Sequence, residues 1–246
     1  MTKAEIQLIK SLNDKASRAE HGLFIAEGSK LIEEILGSSL CVRKVYALSD
    51  IFGLSGDIFE VISPKEMERI STLKSANNSL AVVEIPKSEL RVEELADGLT
   101  LMLDEVQNPG NLGTIIRLAD WFGVENIICS PNSADAFNPK VVQASMGAIL
   151  RVKVHYTPLV PILEQLSKMS LPIYGTFLDG ANIYSKQLSN RGVIVMGNEG
   201  RGISDEVSTF VNERLYIPPY PADCAGSESL NVAIATAIVC SEFRRH

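Results

Sequence analysis

The 246-residue chain predicts an α/β protein: a C-terminal, mostly parallel sheet with helices on both faces, preceded by a smaller α/β domain. Three observations carry this. Short strand candidates alternate with helical runs along the whole chain. In the second half several strand candidates, Leu99–Leu103 and Gly192–Met196 among them, are apolar at nearly every position, as strands covered on both faces tend to be. Between the halves the pattern breaks into a charged, weakly apolar stretch (PKSELRVEELADG, Pro86–Gly98), which reads as a linker. The domains are therefore predicted as residues 1–90, a linker at 91–98, and 99–246.

In the first domain, Glu5–Leu12 has helical spacing and Leu23–Ala26 is a short apolar strand. Ser29–Leu36 reads as a helix with Ser29 as its N-cap. Val42–Leu48 and Phe59–Ile62 are strand candidates. Ser63-Pro64-Lys65-Glu66 has the form of a capping box with proline at the first helical position. Leu80–Ile85 is a further strand. In the second domain the strands are predicted at Leu99–Leu103, Asn126–Cys129, Val152–Tyr156, Ile173–Phe177, Gly192–Met196 and Leu215–Ile217. Helices are expected at about Leu112–Phe122, Lys140–Ile149, Leu159–Lys168, Asp205–Val211 and Leu230–Phe243.

Composition narrows the class. At 46% hydrophobic and 22% charged residues the chain is that of an ordinary soluble globular protein. The opening MTKAEIQLIKSLNDK is broken by charge too often for a signal peptide, and no run approaches the ~18 apolar residues of a membrane span. Cys41, Cys129, Cys224 and Cys240 show no CxxC pairing and no neighbouring histidine, which argues against zinc or a disulfide framework and suits a reducing cytoplasm. His21, His155 and His246 are scattered, with no HExxH, no DxDxDG and no Ser–His–Asp set. No metal is expected. The net charge of −7 is spread over both halves: 12 Lys/Arg against 16 Asp/Glu in 1–97, and 11 against 14 in 98–246. Composition alone therefore gives no basic footprint for nucleic acid.

Three distant segments carry most of the chemistry: Asn108–Arg117 (NPGNLGTIIR), Met196–Ser204 (MGNEGRGIS) and Ser229–Ile238 (SLNVAIATAI). In the first, Pro109 and Gly110 turn the chain after a strand, Asn111 can N-cap the following helix, and Arg117 sits six residues on. One strand-to-helix loop can thus project an amide and a guanidinium toward the carboxyl edge of the sheet, where ligands bind in open α/β folds. A capped helix with a surface arginine would look the same. In the second, Gly197, Gly200 and Gly202 follow a strand. Their GxxGxG spacing is neither GxGxxG nor a Walker sequence, so a nucleotide-phosphate loop is disfavoured. A turn explains the glycines, but Glu199 between them has little core to serve. In the third, Ser229 or Asn231 can cap a helix that is apolar nearly all round and therefore buried.

Taken together, in this order and near a C-terminus, these segments resemble the three signature motifs of the SpoU/TrmH family of the SPOUT superfamily. The resemblance covers about residues 98–246. It implies a deep trefoil knot and an S-adenosylmethionine-dependent RNA 2′-O-methyltransferase acting on ribosomal or transfer RNA. It also implies that Asn111, Arg117, Glu199, Ser229 and Asn231 serve the reaction. The cofactor would be held by Thr176, Phe177, Gly197, Asn198, Gly200, Ile217, Ser229 and Leu230, largely through main-chain groups. Of these, Arg117 would grip a phosphate, since a guanidinium is a poor base, and Glu199 would accept or relay the proton. Arg18–Glu27 (RAEHGLFIAE) resembles the start of the ribosomal-protein-like RNA-binding domain that many members carry, and Ala144–Val154 (ASMGAILRVKV) also resembles the family. Two features depart from the pattern: the proline-rich stretch Pro219–Glu228 is long, and Ala233 stands where many members carry a hydroxyl. A homodimer through the C-terminal domain is expected, because the Leu230–Phe243 helix is too apolar to face water. The competing reading is a non-catalytic RNA-binding or assembly protein that keeps the fold.

Overall fold

The computed structural model describes residues 1–221 and 229–245, in two compact units. The first comprises residues 1–87 and 135–150, the second 88–134 and 151–246.

The first unit is built on a four-stranded sheet of order β1-β4-β2-β3, with β1 at Leu23–Glu27, β2 at Val42–Ala47, β3 at Phe59–Val61 and β4 at Ser79–Glu84. β4 is antiparallel to both β1 and β2, whereas β3 joins β2 in parallel. Successive side chains of a strand point to opposite faces, and both faces are covered. On one, Ile25, Tyr46, Leu80 and Val82 meet α1 (Lys3–Ser11) and α4 (Pro64–Ile70). On the other, Phe24, Ala26, Ala81 and Val83 meet α3 (Ser29–Leu36). That second face also receives Phe137, Val142 and Leu150, from the segment around α6 (Pro139–Ser145).

Arg18 lies on α2 (Lys15–His21), a helix the sequence reading missed because its apolar residues are too few to show a period. The side chain is 2% exposed and donates to Asp135 Oδ2 from Nε (2.8 Å) and Nη2 (2.5 Å), and to the Leu12 carbonyl from Nη1 (2.7 Å). The capping box at Ser63 forms, with reciprocal bonds between Ser63 and Glu66. Ser29 is not an N-cap. That position falls to Gly28, at φ 103°, and no side chain caps α3.

The second unit holds a six-stranded sheet of order β10-β8-β9-β5-β6-β7. Its strands are β5 (Leu99–Leu103), β6 (Asn126–Cys129), β7 (Lys153–Tyr156), β8 (Ile173–Asn182), β9 (Gly192–Met196) and β10 (Glu213–Tyr216). Every neighbouring pair is parallel. Met102, Ile128, Val193 and Val195 pack against α7 (Leu159–Lys168) and α8 (Asp205–Ser208), and the alternate residues Leu101, Leu103, Ile127 and Ile194 are equally buried. β8 runs five residues past its expected end because its far part pairs with β10 after a register shift between Arg214 and Leu215. The expected linker contains a short 3-10 turn, Val92–Ala96, whose Leu95 is buried in the core of this unit.

Strand order explains where a site can form. From β5 the chain proceeds outward through β6 and β7, then returns to build β8, β9 and β10 on the other side of β5. The order therefore reverses between β5 and β9, and the loops at their carboxyl ends diverge there, leaving the crevice in which open α/β sheets bind ligands. α5 (Pro109–Trp121) follows β5, and α9 (Val232–Phe243) packs against it.

Candidate active site

The loop after β5 turns at Asn108-Pro109. Asn108 is the true N-cap of α5: its Oδ1 accepts from Gly110 N (2.8 Å) and Asn111 N (3.2 Å). Asn111 was expected in that role. Displaced into the first turn, it has its amide free for other partners. The missed signal was legible, since Asn-Pro favours turn initiation with the asparagine as cap. α9 is capped as expected by Asn231, whose Oδ1 accepts from Ala233 N (2.9 Å) and Ile234 N (3.3 Å).

These two asparagines and Glu199 form a chain across the crevice. Asn231 Nδ2 donates to Asn111 Oδ1 (3.0 Å), and Asn111 Nδ2 donates to Glu199 Oε1 (2.9 Å). The Glu199 carboxylate also accepts from the backbone N–H of Asn108 (3.2 Å) and Gln107 (3.4 Å). One residue from each of the three motifs is thereby joined. Burial pushes the Glu199 carboxyl up, but the Asn111 amide and the N–H groups of Glu199 itself, Asn108 and Gln107 outweigh it and hold the group below the usual carboxylate range. It is a fixed anion, ionised throughout neutral pH.

The loop after β9 is folded on itself. Asn198 and Gly202 exchange two backbone hydrogen bonds of 2.9 Å, with Gly202 at φ 72°. The Asn198 side chain is used internally: its amide donates to the Glu105 carbonyl (2.8 Å), and its oxygen accepts from Gly200 N (2.9 Å) and Arg201 N (3.1 Å). Gly197 is buried, and a Cβ there would lie 2.2 Å from the carbonyl carbon of Gly202 and 2.3 Å from Ile203 N. Gly197 and Asn198 thus shape the loop. Gly200 differs: it is exposed, and a Cβ there would make only an ordinary contact, 3.7 Å to the Asn198 oxygen.

The remaining expected residues are placed as follows. Thr176 and Phe177 are half-buried on β8. Thr176 Oγ1 lies 4.0 Å from Met196 Sδ, and the Phe177 ring carries the Arg214 guanidinium 3.4 Å above its centroid. Ile217 is half-buried just past β10, while Ser229 and Leu230 are exposed before α9. Among the described residues, Ser229 and Leu230 make no backbone hydrogen bond. The expectation about the long Pro219–Glu228 stretch falls mostly on residues 222–228, outside the described residues, as does Cys224.

Arg117 is not part of the chain. It is exposed, and among the described residues it makes no hydrogen bond or ion pair. Six residues along a helix of 3.6 per turn place it on a different side of α5 from Asn111. There it shares an exposed stripe with Gly110, Thr114 and Trp121, the last 82% exposed.

α5 and α9 run parallel and are tied at both ends. Asn231 holds Asn111 at the start, and at the end Arg244 donates from Nε to the Phe122 carbonyl (2.9 Å) and from Nη2 to that of Gly123 (3.2 Å). This clamp buries Val232, Ala233, Thr236, Val239, Cys240 and Phe243 of α9 within the same chain and leaves Ile234 52% exposed. The helix therefore needs less covering by a partner than its composition suggested.

A parallel α/β sheet whose switch-point loops join the three motifs has close counterparts. Residues 98–241 match the SpoU rRNA Methylase family. The chain belongs to that family. Residues 3–90 match the MRM3-like substrate binding domain. The chain is 30% identical over 241 residues to the 23S rRNA (guanosine(2553)-2′-O)-methyltransferase of Bacillus subtilis, covering 96% of this chain and 94% of the relative. Among solved structures, a TrmH-family protein from Porphyromonas gingivalis superposes with a TM-score of 0.88 at 39% identity, covering 99% of this chain and 98% of that one. An AdoMet-bound rRNA methyltransferase from Sinorhizobium meliloti superposes with a TM-score of 0.86 at 26% identity, over 100% and 96%. As a SpoU family member the chain has the α/β architecture its sequence predicted.

Proposed function

We propose that this protein transfers a methyl group from S-adenosylmethionine to a ribose 2′-hydroxyl of ribosomal RNA. The observation that carries the reading is the Asn231–Asn111–Glu199 chain, which unites the three motifs at the switch point. A binding relic has no chemical need for such a set, so the catalytic reading is preferred to a non-catalytic assembly protein. The Bacillus subtilis relative favours ribosomal over transfer RNA.

The cofactor supplies a methyl group already activated on a sulfonium. The residues present suit it: the exposed Gly200, where a side chain would meet nothing closer than 3.7 Å, and main-chain groups of Ser229 and Leu230 that make no backbone hydrogen bond among the described residues, offer the close approach and polar edge that an adenosine moiety needs. Gly197 and Asn198 hold the loop in shape for it, with Thr176 and Phe177 on the neighbouring β8 and Ile217 just past β10 completing the wall. Glu199, ionised at neutral pH before the reaction, favours the positive character a hydroxyl gains as it attacks and accepts or relays its proton. Asn111 and Asn231 fix its position, and Ser229 lies on the approach to α9. Arg117, which makes no hydrogen bond or ion pair among the described residues, grips a phosphate of the RNA.

In this reading residues 1–90 bind substrate, 91–98 connect, and 99–246 form the catalytic domain with its trefoil knot. The protein acts in the cytoplasm as a homodimer. Among the described residues no helix is long and apolar enough to cross a membrane. Exposed Trp121, Ile234 and Leu230 on and beside α5 and α9 give a dimer its apolar contacts, and Arg117 on the same stripe as Trp121 would then act on RNA held by the other subunit. Calorimetry against S-adenosylmethionine, ATP and NAD tests the cofactor, and methylation of rRNA from a strain lacking the gene tests the reaction. Binding of ATP or NAD in place of S-adenosylmethionine would sink the proposal.

A further inference from the structure

Glu105, which no motif singled out, is the most heavily engaged residue at the carboxyl edge. Its backbone lies at φ 57°, a left-handed conformation that is sterically costly for a residue with a Cβ and that persists where surrounding contacts fix it, often at functional sites. All of its polar groups are occupied. Its N–H donates to Ser130 Oγ (2.8 Å) and its carbonyl accepts from Asn198 Nδ2 (2.8 Å). One carboxylate oxygen accepts from Asn132 Nδ2 (2.9 Å), and the other pairs with Nη2 of Arg201. Glu105 therefore ties together the loops after β5, β6 and β9. Two residues further on, Gln107 donates to Glu199, so the strained turn sits directly beside the candidate reaction site.

Arg201 is the product of this arrangement. Its side chain is 71% exposed. Among the described residues only Nη2 has a partner, leaving the Nε and Nη1 donors directed at solvent. The backbone N–H of Arg201 is fixed by Asn198. A guanidinium held at one corner, with further donors free, is ready for a phosphate. The charge balance gives this weight. The protein carries a net −7, so attraction for RNA must come from individually placed cations.

We propose that Arg201, oriented by Glu105, is a positioning residue that grips a phosphate of the RNA substrate next to the ribose to be methylated. The inference rests on the methyltransferase reading above. Arg117 and Arg201 then hold the RNA backbone from two different elements, α5 and the loop after β9.

The test uses the full-length protein and rRNA extracted from a strain lacking the gene. Methyl transfer is titrated in RNA at saturating S-adenosylmethionine and at several salt concentrations, and cofactor affinity is measured by calorimetry. Arg201→Ala is expected to raise KM for RNA about tenfold or more, the loss of one charge-assisted contact, with kcat and cofactor affinity within about twofold. The salt dependence of RNA binding should also flatten by roughly one phosphate contact. Arg201→Lys should recover part of the loss, and Glu105→Gln, whose amide oxygen can accept from only one of Asn132 and Arg201 and which carries no charge, should raise KM less than Arg201→Ala. An Arg201→Ala enzyme with unchanged KM and salt slope overturns the proposal, as does a loss confined to cofactor affinity, which would mark Arg201 as a mere brace of the loop. If the wild type binds no S-adenosylmethionine and methylates no rRNA, the methyltransferase reading itself has failed and takes the inference with it. Normal wild-type activity with an indifferent Arg201→Ala variant refutes the inference alone.

Discussion

The smallest possible perturbation of the loop after β9 is one methyl group at Gly197. In Gly197→Ala the new Cβ would lie 2.2 Å from Gly202 C, 2.3 Å from Ile203 N and 2.5 Å from Gly202 O. Non-bonded carbon contacts sit at about 3.5–4.0 Å, so the loop must shift by more than ~1 Å. The atoms in the way are backbone and have no rotamer to escape into. Such a shift pulls apart the two 2.9 Å bonds between Asn198 and Gly202. Overpacking of this kind costs about 1–3 kcal/mol, and each lost hydrogen bond about 1 kcal/mol. Part of this is relieved as the loop relaxes, so ~2–3 kcal/mol is a fair expectation for holding the loop in its native shape. If S-adenosylmethionine binds only that shape, its affinity falls by roughly 30- to 160-fold. Calorimetry on the purified variant measures this directly, with circular dichroism to show that the sheet remains folded. The damage is indirect: the methyl group collides with the loop itself and leaves the ligand space untouched. Wild-type affinity in Gly197→Ala would refute the reasoning, because a loop that yields without cost cannot be what shapes the site.

Two further outcomes follow from other parts of the molecule. Because the Glu199 carboxyl is held below its ordinary range, its hold on Asn111 is fully present above the usual glutamate pKa of ~4.3 and is lost only as pH falls through the lower folded value. The pH–rate profile should therefore show no limb from Glu199 between about pH 6 and 9, and Glu199→Gln should lower kcat by a similar factor across that range; a limb near neutrality that disappears in Glu199→Gln would contradict this. In the first unit, Asp135→Ala leaves the 2%-exposed Arg18 without its carboxylate. Removing one partner of a buried pair costs about 3–5 kcal/mol, whereas Arg18→Met with Asp135→Leu should recover most of it; a chemical denaturation midpoint for Asp135→Ala equal to the wild type would show that the pair contributes little.

Much of the fold was legible in the sequence, and the reason is patterning. Leu99–Leu103, Asn126–Cys129 and Gly192–Met196 are strands with the bounds read from their apolar runs, because a strand covered on both faces is apolar at most of its positions. Leu159–Lys168 and the Ser63 capping box were equally clear, since helix periodicity and N-terminal caps are local. What failed was also physical. α2 lacks a period because it is held by one buried arginine, and the extension of β8 depends on pairing with β10, a partner thirty or more residues away.

The site divides the same way. The sequence by itself determined which residue types stand at the ends of the parallel strands, and through them the family. Only the tertiary structure decided which of those residues meet. Asn111 touches Glu199, 88 residues further on, and Asn231, 120 residues further on, while Arg117, six positions from Asn111, faces another side of its helix. Glu105 carried no signal at all: a lone glutamate after a strand looks like any solvated charge. Its role comes from the left-handed turn that aims its carboxylate at Asn132 and Arg201. Backbone conformation at one residue and contact across nearly a hundred are set by the packing of the whole sheet, and no local pattern of residues encodes them.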